Sequence, residues 1–380
     1  MGVAGAGDDG LPVVDEELAA GQKQKLEILK QLYLESRFLI LDEPTSVLTP
    51  GEAEEVLGLL KRMAEEGALT ILMITHKFRE VEAFATSVSV LRRGRLTGGG
   101  AVADLGRKEM AAMMIGDRSI SPVTQHAGLP DRERPILSLD GLVVHDRSGL
   151  KSTRIDRLAV HAREIVGIAG VSGNGQKQLA EAIGGQLRPR AGTIAVHGAA
   201  YAGTRQESRA HQMRFIPEEP LRNACVPRMS VVENLSFRTF DENGSGTVVW
   251  LRQGRMRNFA RRLIQMFGVK TASIAAPIAT LSGGNVQRAV LARELTGAVD
   301  LLVVTNPCFG LDFAAVAEIR SQIVAARNGG AAVLLISEDL DEILELADRI
   351  LVMSEGRIVY ESTRAEADGN TIGQHMAGHH

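Results

Sequence analysis

The sequence predicts an α/β protein with parallel-sheet cores, holding one partial and one complete copy of the same architecture. Three observations predict it. Four blocks recur in one order: LAAGQKQKLEILKQL from Leu18 with LSGGNVQRAVLAREL from Leu281, FLILDEPTSVLTP with LLVVTNPCFGLDF, ILMITHKFREV with VLLISEDLDEI, and RRGR with SEGR. The step from Pro44 to Pro307 equals that from Leu18 to Leu281, and the later steps (His76 to Glu338, Gly94 to Gly356) differ from it by a single residue. Within each copy, short continuous apolar strands alternate with helical segments, the pattern of a parallel sheet covered on both faces. Finally, GIAGVSGNGQKQL, Gly167 to Leu179, opens like a phosphate-binding loop.

Taken in order, residues 1–14 are a glycine-rich tail with neither a basic and apolar leader nor the hydroxyl residue of a myristoylation site. The first copy is expected over 15–118: a helix after the glycine cluster, the strand RFLIL, a loop with proline, the helix GEAEEVLGLLKRMAEEG and the strand LTILMIT. Residues 119–135, rich in Ser, Gly, Pro and charge, read as a linker. The second copy spans 136–378, with TFDENGSGTVVW as an internal loop. By the repeat, the first copy lacks roughly 130 residues at its front, where its own phosphate loop belongs. Its remaining sheet should therefore expose an edge or a face.

The bulk numbers narrow the function. A chain of 380 residues suits two domains. The net charge of −3 gives no global basic field, which argues against nucleic acid as a partner. The two cysteines, Cys225 and Cys308, match no metal spacing and fit a reducing compartment. No apolar run approaches the ~18 residues that span a bilayer.

The glycine loop departs from the rule G-x-x-x-x-G-K-[ST]. Gly170, Gly173 and Gly175 keep the backbone cradle, with Ser172 and Asn174 between them, but Gln176 and Lys177 stand where Lys and Ser/Thr belong, followed by Gln178. Gln176 keeps a hydrogen-bond donor and loses the charge. Lys177 cannot replace it, because one step along a helix turns a side chain by about 100°. Lys177 also removes the hydroxyl that holds Mg²⁺. The bland alternative is a glycine turn that binds nothing.

Together these blocks resemble the ATP-binding cassette (ABC) family. LSGGN followed by Q-R resembles its signature, LILDEPT the Walker B strand with the catalytic glutamate, ITH the switch histidine and GLD the D-loop. The resemblance covers Leu18 to Arg357. Two cassettes in one chain, the G-N-G-Q loop and FIPEEP followed by MSVVENL are similar to the fused ATPases of simple-sugar and nucleoside importers, with a lean to the nucleoside type. It implies P-loop cores with a helical signature subdomain, ATP and Mg²⁺ as cofactors, transmembrane permease subunits and indirectly a solute-binding protein as partners, and a peripheral place on the cytoplasmic side of the membrane.

The resemblance also assigns residues. In the first copy Asp42 would support the metal, Glu43 the attacking water and His76 the γ-phosphate. A lone His is ordinarily a satisfied loop residue; the matched spacing reverses that preference. In the second copy Thr305 and Asn306 stand where Asp42 and Glu43 stand, Glu338 replaces His76, and Glu218 falls at the Q-loop. An acid facing a γ-phosphate repels it. Family geometry pairs each Walker site with the other copy's signature. Leu281, Ser282, Gly283, Gly284 and Asn285 would serve the good site, and Leu18, Ala19, Ala20, Gly21 and Gln22, which lack the signature serine, the weak one. Asp312 fills the D-loop aspartate position that Thr49 holds in the first copy. The segment Glu218 to Asn234 would meet the permease.

The chain as written is thus expected to energise import through partners and to turn over little or no ATP alone. A non-catalytic nucleotide-binding remnant or scaffold is the alternative. A soluble ABC-type protein acting on nucleic acid or ribosomes fits less well, since the linker is short and neither long coiled coils nor zinc cysteines are present.

Overall fold

The computed structural model describes residues 20–45, 48, 50–75, 77–92, 94–115, 125–241, 251–308, 311, 313–376 and 378. The chain divides into two compact units, Met1–Thr75 and His76–His380.

In the first unit, α1 (Ala20–Tyr33) leads to β1 (Phe38–Asp42), α2 (Pro50–Glu65) and β2 (Thr70–Ile74). The strands pair in parallel, Phe38 opposite Thr70 through Asp42 opposite Ile74. Lys25 of α1 is ion-paired to Glu52 of α2 at 2.5 Å.

The second unit opens with α3 (Phe78–Phe84), the hairpin β3 (Ser87–Arg92) and β4 (Arg95–Ala101), and α4 (Arg107–Ile115). Next come β5 (Asp131–His145), β6 (Ser152–Ala162), β7 (Ile165–Ala169), α5 (Gln176–Ile183), β8 (Ala191–Val196) and β9 (Ala199–Ala200). They are followed by α6 (Arg205–Ala210), β10 (Met213–Ile216), α7 (Pro220–Asn223), α8 (Val231–Leu235) and α9 (Gln253–Met266). The rest comprises α10 (Gly283–Glu294), β11 (Leu301–Thr305), α11 (Phe313–Asn328), β12 (Ala332–Ser337), α12 (Leu340–Leu346), β13 (Arg349–Ser354), β14 (Arg357–Thr363) and α13 (Gly369–Met376).

The main sheet runs β10-β11-β12-β7-β13-β14, parallel except at β14. Its central strands are continuous apolar runs buried at every residue, as a sheet covered on both faces requires. One face packs Leu302, Val304, Val333 and Leu335 against α10 to α13. The other packs Leu301, Val303, Leu334 and Ile336 against α5 and the antiparallel sheet β6-β5-β8-β9. A third core joins α8, α9 and α10 into a helical layer.

The elements repeat as closely as the sequence does. The starts of α1, β1 and α2 precede those of α10, β11 and α11 by the Leu18-to-Leu281 step. Those of β2, α3, β3, β4 and α4 precede β12, α12, β13, β14 and α13 by the His76-to-Glu338 step. Even the register break at Val90/Leu91 recurs at Val352/Met353. The coverage differs. Phe38, Ile40, Leu72 and Ile74 on one face of β1–β2 are exposed, whereas their counterparts Leu301, Val303, Leu334 and Ile336 are buried beneath the antiparallel sheet.

The expected linker 119–135 is shorter than its composition implied. Asp131 to Pro135 already belong to β5, where Pro135 sits at a register irregularity opposite His161 that tolerates its missing N–H. Upstream, Gln125 to Gly128 are fastened to α11. The buried Arg327 donates to the Ala127 and Gly128 carbonyls, and Asn328 bonds the backbone of Gln125 and Ala127. Residues 119–124, and residues 242–250 of the expected internal loop, lie outside the described residues.

Matched leucines test this contrast. Leu72 is 52% exposed and Leu334 fully buried. In the 380-residue chain, Leu334→Ala should cost about 2–5 kcal/mol in urea unfolding followed by circular dichroism. Leu72→Ala should cost no more than about 0.5 kcal/mol. Equal costs would mean that the β1–β2 face is covered in solution.

Candidate functional site

The glycine loop leaves the carboxyl end of β7, the central strand, and enters α5. This is the edge at which open α/β sheets bind ligands. Gly173 and Gly175 have φ of 90° and 101°, which glycine adopts without strain. A Cβ at Gly175 would collide with Thr153 Oγ1, and one at Gly170 with Gln176 Nε2 and the Met353 carbonyl.

The loop is held without a ligand. Thr153 Oγ1 of β6 donates to the Gly175 carbonyl at 3.3 Å. Asn174 accepts from the β13–β14 turn twice, from Glu355 N on its side chain at 3.1 Å and from Gly356 N on its carbonyl at 3.0 Å. Gln176 is buried, and its Nε2 donates to the Val171 carbonyl at 3.2 Å. Among the described residues, the amides of Gly173, Gly175 and Gln176 donate to no protein acceptor at this helix N-terminus; Gly173 is exposed, and Gly175 and Gln176 are buried. Lys177 and Gln178 continue into the first turn of α5, and Lys177 is exposed.

The carboxyl ends of β11 and β12 lie beside that of β7, with Thr305 opposite Ile336 and Ser337 opposite Ala169. Asn306 follows β11, and its Oδ1 accepts from Glu338 N at 2.9 Å. Burial, and after it the charge of Glu218, push the Glu338 carboxyl above the usual range, against the opposing pull of Ser172 and Asn306. Behind it, Ser337 Oγ donates to the buried Glu342 at 2.7 Å, which fixes the turn carrying Glu338. Thr305 is buried, and its hydroxyl has no partner among the described residues. With Thr305 in the aspartate position and Lys177 in the hydroxyl position, the donor set does not fit Mg²⁺. The backbone cradle fits phosphate oxygens.

The first stretch carries the complementary chemistry on matching backbone. Glu43 and Asn306 have nearly the same left-handed φ, 44° and 43°, and each donates its amide to the neighbouring strand, to Ile74 O and Ile336 O, both at 2.8 Å. Non-glycine residues rarely adopt this conformation, so its recurrence marks one turn carrying a carboxylate in one place and an amide in the other. Asp42 ends β1 and is exposed. His76, Asp312, Leu18 and Ala19 lie outside the described residues, as does the side chain of Ala20. Gly21 and Gln22 lie in the first turn of α1.

The signature Leu281–Asn285 sits at the start of α10. Ser282 is the N-cap residue, but its side chain caps no amide and instead accepts from Asn285 Nδ2 at 2.8 Å. Gly283 has open space around it. Beside Glu218, whose carbonyl accepts from Asn223 Nδ2 at 2.6 Å, a cavity of about 430 Å³ is lined by Phe215, Pro217, Ala224, Cys225, Arg238 and Arg293. Asn234, buried, holds the segment below it through bonds to Val226, Met229 and Ser230.

Sequence reading missed Thr153 and Lys151. Lys151 sits in the β5–β6 turn, with Nζ 3.7 Å from where a Gly173 side chain would begin. No local motif marks either residue; only the folding of the antiparallel sheet onto the main one brings them to the loop.

The chain matches the ABC transporter family over residues 154–308. A glucose import ATP-binding protein of Haloferax volcanii is 40% identical over 365 residues, covering 95% of this chain and 66% of that protein. A nucleoside import ATP-binding protein of Lactococcus lactis is 37% identical, covering 90% and 67%. A guanosine import ATP-binding protein of Bacillus subtilis is 35% identical, covering 95% and 71%. The chain thus spans about two thirds of the length of these relatives. A solved ATP-binding subunit of an ABC transporter superposes with a TM-score of 0.51 at 20% identity, covering 64% of this chain and 99% of that one, a likeness of fold.

Glu338 gives a stability test. Its folded pKa is raised, so the native state holds the proton more tightly than the unfolded chain. Its contribution is therefore neutral at low pH and becomes a cost as pH rises past the ordinary carboxylate range. Glu338→Gln should raise Tm by a few degrees near neutral pH and leave it unchanged at about pH 4. An equal change at both would show that the charge is not the cause.

Proposed function

The chain belongs to the ABC transporter family, and we propose on that premise that it is the ATP-binding subunit energising import of a simple sugar or nucleoside. The relatives' roles in glucose, nucleoside and guanosine import support the substrate class. Its partners are membrane-spanning permease subunits and, through them, a solute-binding protein, with the chain on the cytoplasmic face. The cavity beside Glu218 takes a segment of the permease.

We read the chain as the rear of one cassette followed by a second, degenerate one. The observation that carries this reading is the recurrence of the Glu43 turn at Asn306. The matched element starts also support it. Hydrolytic chemistry then belongs to Asp42, Glu43 and His76, with Mg²⁺ at Asp42 in the complete assembly, and the loop at Gly170 keeps a nucleotide cradle without the groups that activate water. When bound, Mg²⁺ offsets phosphate charge; Glu43 orients the attacking water. These 380 residues contain one phosphate-loop sequence, the degenerate one. By themselves they are expected to hydrolyse little ATP.

A second reading, a scaffold that holds nucleotide without turnover, is favoured by Lys177, Thr305 and Asn306, which stand where the hydrolytic groups belong.

The test is ATP hydrolysis by the complex purified with its membrane partners. Glu43→Gln should reduce turnover by about 10²-fold or more. Asn306→Ala should change it less than about two-fold. No turnover in the intact complex would favour the scaffold. Equal losses in both variants would contradict the division of labour.

A further inference from the structure

We propose that the outward face of α9 is a docking surface for anionic phospholipid headgroups, so that the chain grips the membrane surface directly as well as through its permease partners. The run RQGRMRNFARR, Arg252 to Arg262, carries five arginines and no acid. The choice of lipid among anions rests on the membrane-bound role proposed above and goes beyond it, since a subunit held by a permease needs no lipid contact of its own.

The inner face of α9 is already used. Ala260 and Leu263 are buried, and Met256, Phe259 and Ile264 pack with them into the core shared with α8 and α10. The five arginines are all exposed. By the helix period Arg255 and Arg262 stand in one row and Arg257 and Arg261 in another, with Gly254, Asn258 and Gln265 between them. Among the described residues none of the five has a carboxylate partner. Arg257 donates to Gln253 Oε1 at 3.4 Å, Arg261 donates to Asn258 Oδ1 at 3.3 Å, and Arg262 lies over the Phe259 ring, 5.6 Å from its centre. Other arginines of the same unit, such as Arg209, Arg288 and Arg320, each meet an acid.

This arrangement works against the helix. Arg252 is the N-cap residue and Arg255 follows in the first turn, where the macrodipole favours anions; the first turn holds no acid and the last no base. Arg257 and Arg261, four residues apart, repel. A face shaped for solvent alone intersperses acids with bases. A partner with fixed negative charge reverses both penalties. The two rows span about 15 Å along the axis, a flat array suited to a plane of phosphates. Met266, 64% exposed, continues the Arg255–Arg262 row, and Leu251, 54% exposed, precedes the helix, so an apolar side chain stands at each end to enter the interface. Phe259, the one aromatic residue of the run, is committed to the helical core rather than free to stack on a base, and the net charge of −3 opposes a nucleic acid. The face also lies in the right layer: α9 packs on α8, which overlaps the segment expected to meet the permease.

The experiment is co-sedimentation of the 380-residue chain with vesicles of phosphatidylcholine alone and with about one third phosphatidylglycerol. Binding is expected to the second only, and to be lost at about 0.5 M salt. Each basic residue near such a surface is worth about five-fold in partitioning, so combining Arg255→Gln, Arg257→Gln, Arg261→Gln and Arg262→Gln should weaken binding by about 10²-fold or more with the circular-dichroism melt retained. The same change at four exposed arginines of the antiparallel sheet, Arg132, Arg134, Arg154 and Arg157, alters net charge equally and should weaken it less than about three-fold. Equal losses in the two variants would overturn the proposal, as would no binding of the native chain to the anionic vesicles. So would tighter binding of the native chain to a DNA duplex than to those vesicles. The vesicles carry no permease and the assay reads no turnover, so any of these failures leaves the import reading standing.

Discussion

Strand β7 is the constraint on which the rest depends. Its five residues are buried throughout, and it bonds in parallel to β12 on one side and β13 on the other, so it closes the main sheet. The chain leaves its carboxyl end directly into the glycine loop. The sheet therefore sets where the loop lies, and the antiparallel layer above supplies Thr153, which bonds the Gly175 carbonyl, and Lys151, which stands beside Gly173. In the first unit β1 and β2 form a two-stranded sheet, and Phe38, Ile40, Leu72 and Ile74, whose counterparts lie beneath the antiparallel sheet, are exposed.

The changes in the second copy form a consistent set. On the proposed reading, losing the loop lysine and the hydroxyl removes the reason to keep a metal-holding aspartate at Thr305 and a carboxylate at Asn306, whose amide oxygen accepts from the Glu338 backbone. Stability is served by the same residues: Asn174 and Thr153 tie the loop to neighbouring strands, so it needs no ligand to hold its form.

Much of this was legible in the sequence, for a physical reason. Repeated blocks expose equivalence without any need to predict contacts, so the strands RFLIL and LLVV and the helices after them could be paired across the chain, and Thr305, Asn306 and Glu338 could be matched to Asp42, Glu43 and His76. The exposed face of β1–β2 also follows from the repeat. What escaped was tertiary. Lys151 lies far from the loop's motif and reaches it only through the packing of two sheets. The fastening of Gln125–Gly128 by Arg327 and Asn328 turns a linker by composition into an ordered strap, because composition reports local preference and not partners some 200 residues away in sequence. The start of β5 was missed for a similar reason: Pro135 argues against a strand unless an irregular register accommodates it.

The central claim is that the loop at Gly170–Gln178 still holds nucleotide phosphates on its backbone. Amide hydrogen exchange across this segment, with and without ADP, tests it most directly. The account predicts slowed exchange at the amides of Gly173, Gly175 and Gln176, which have no protein acceptor among the described residues, with β1–β2 unaffected. Unchanged exchange at those three amides under saturating ADP would contradict it.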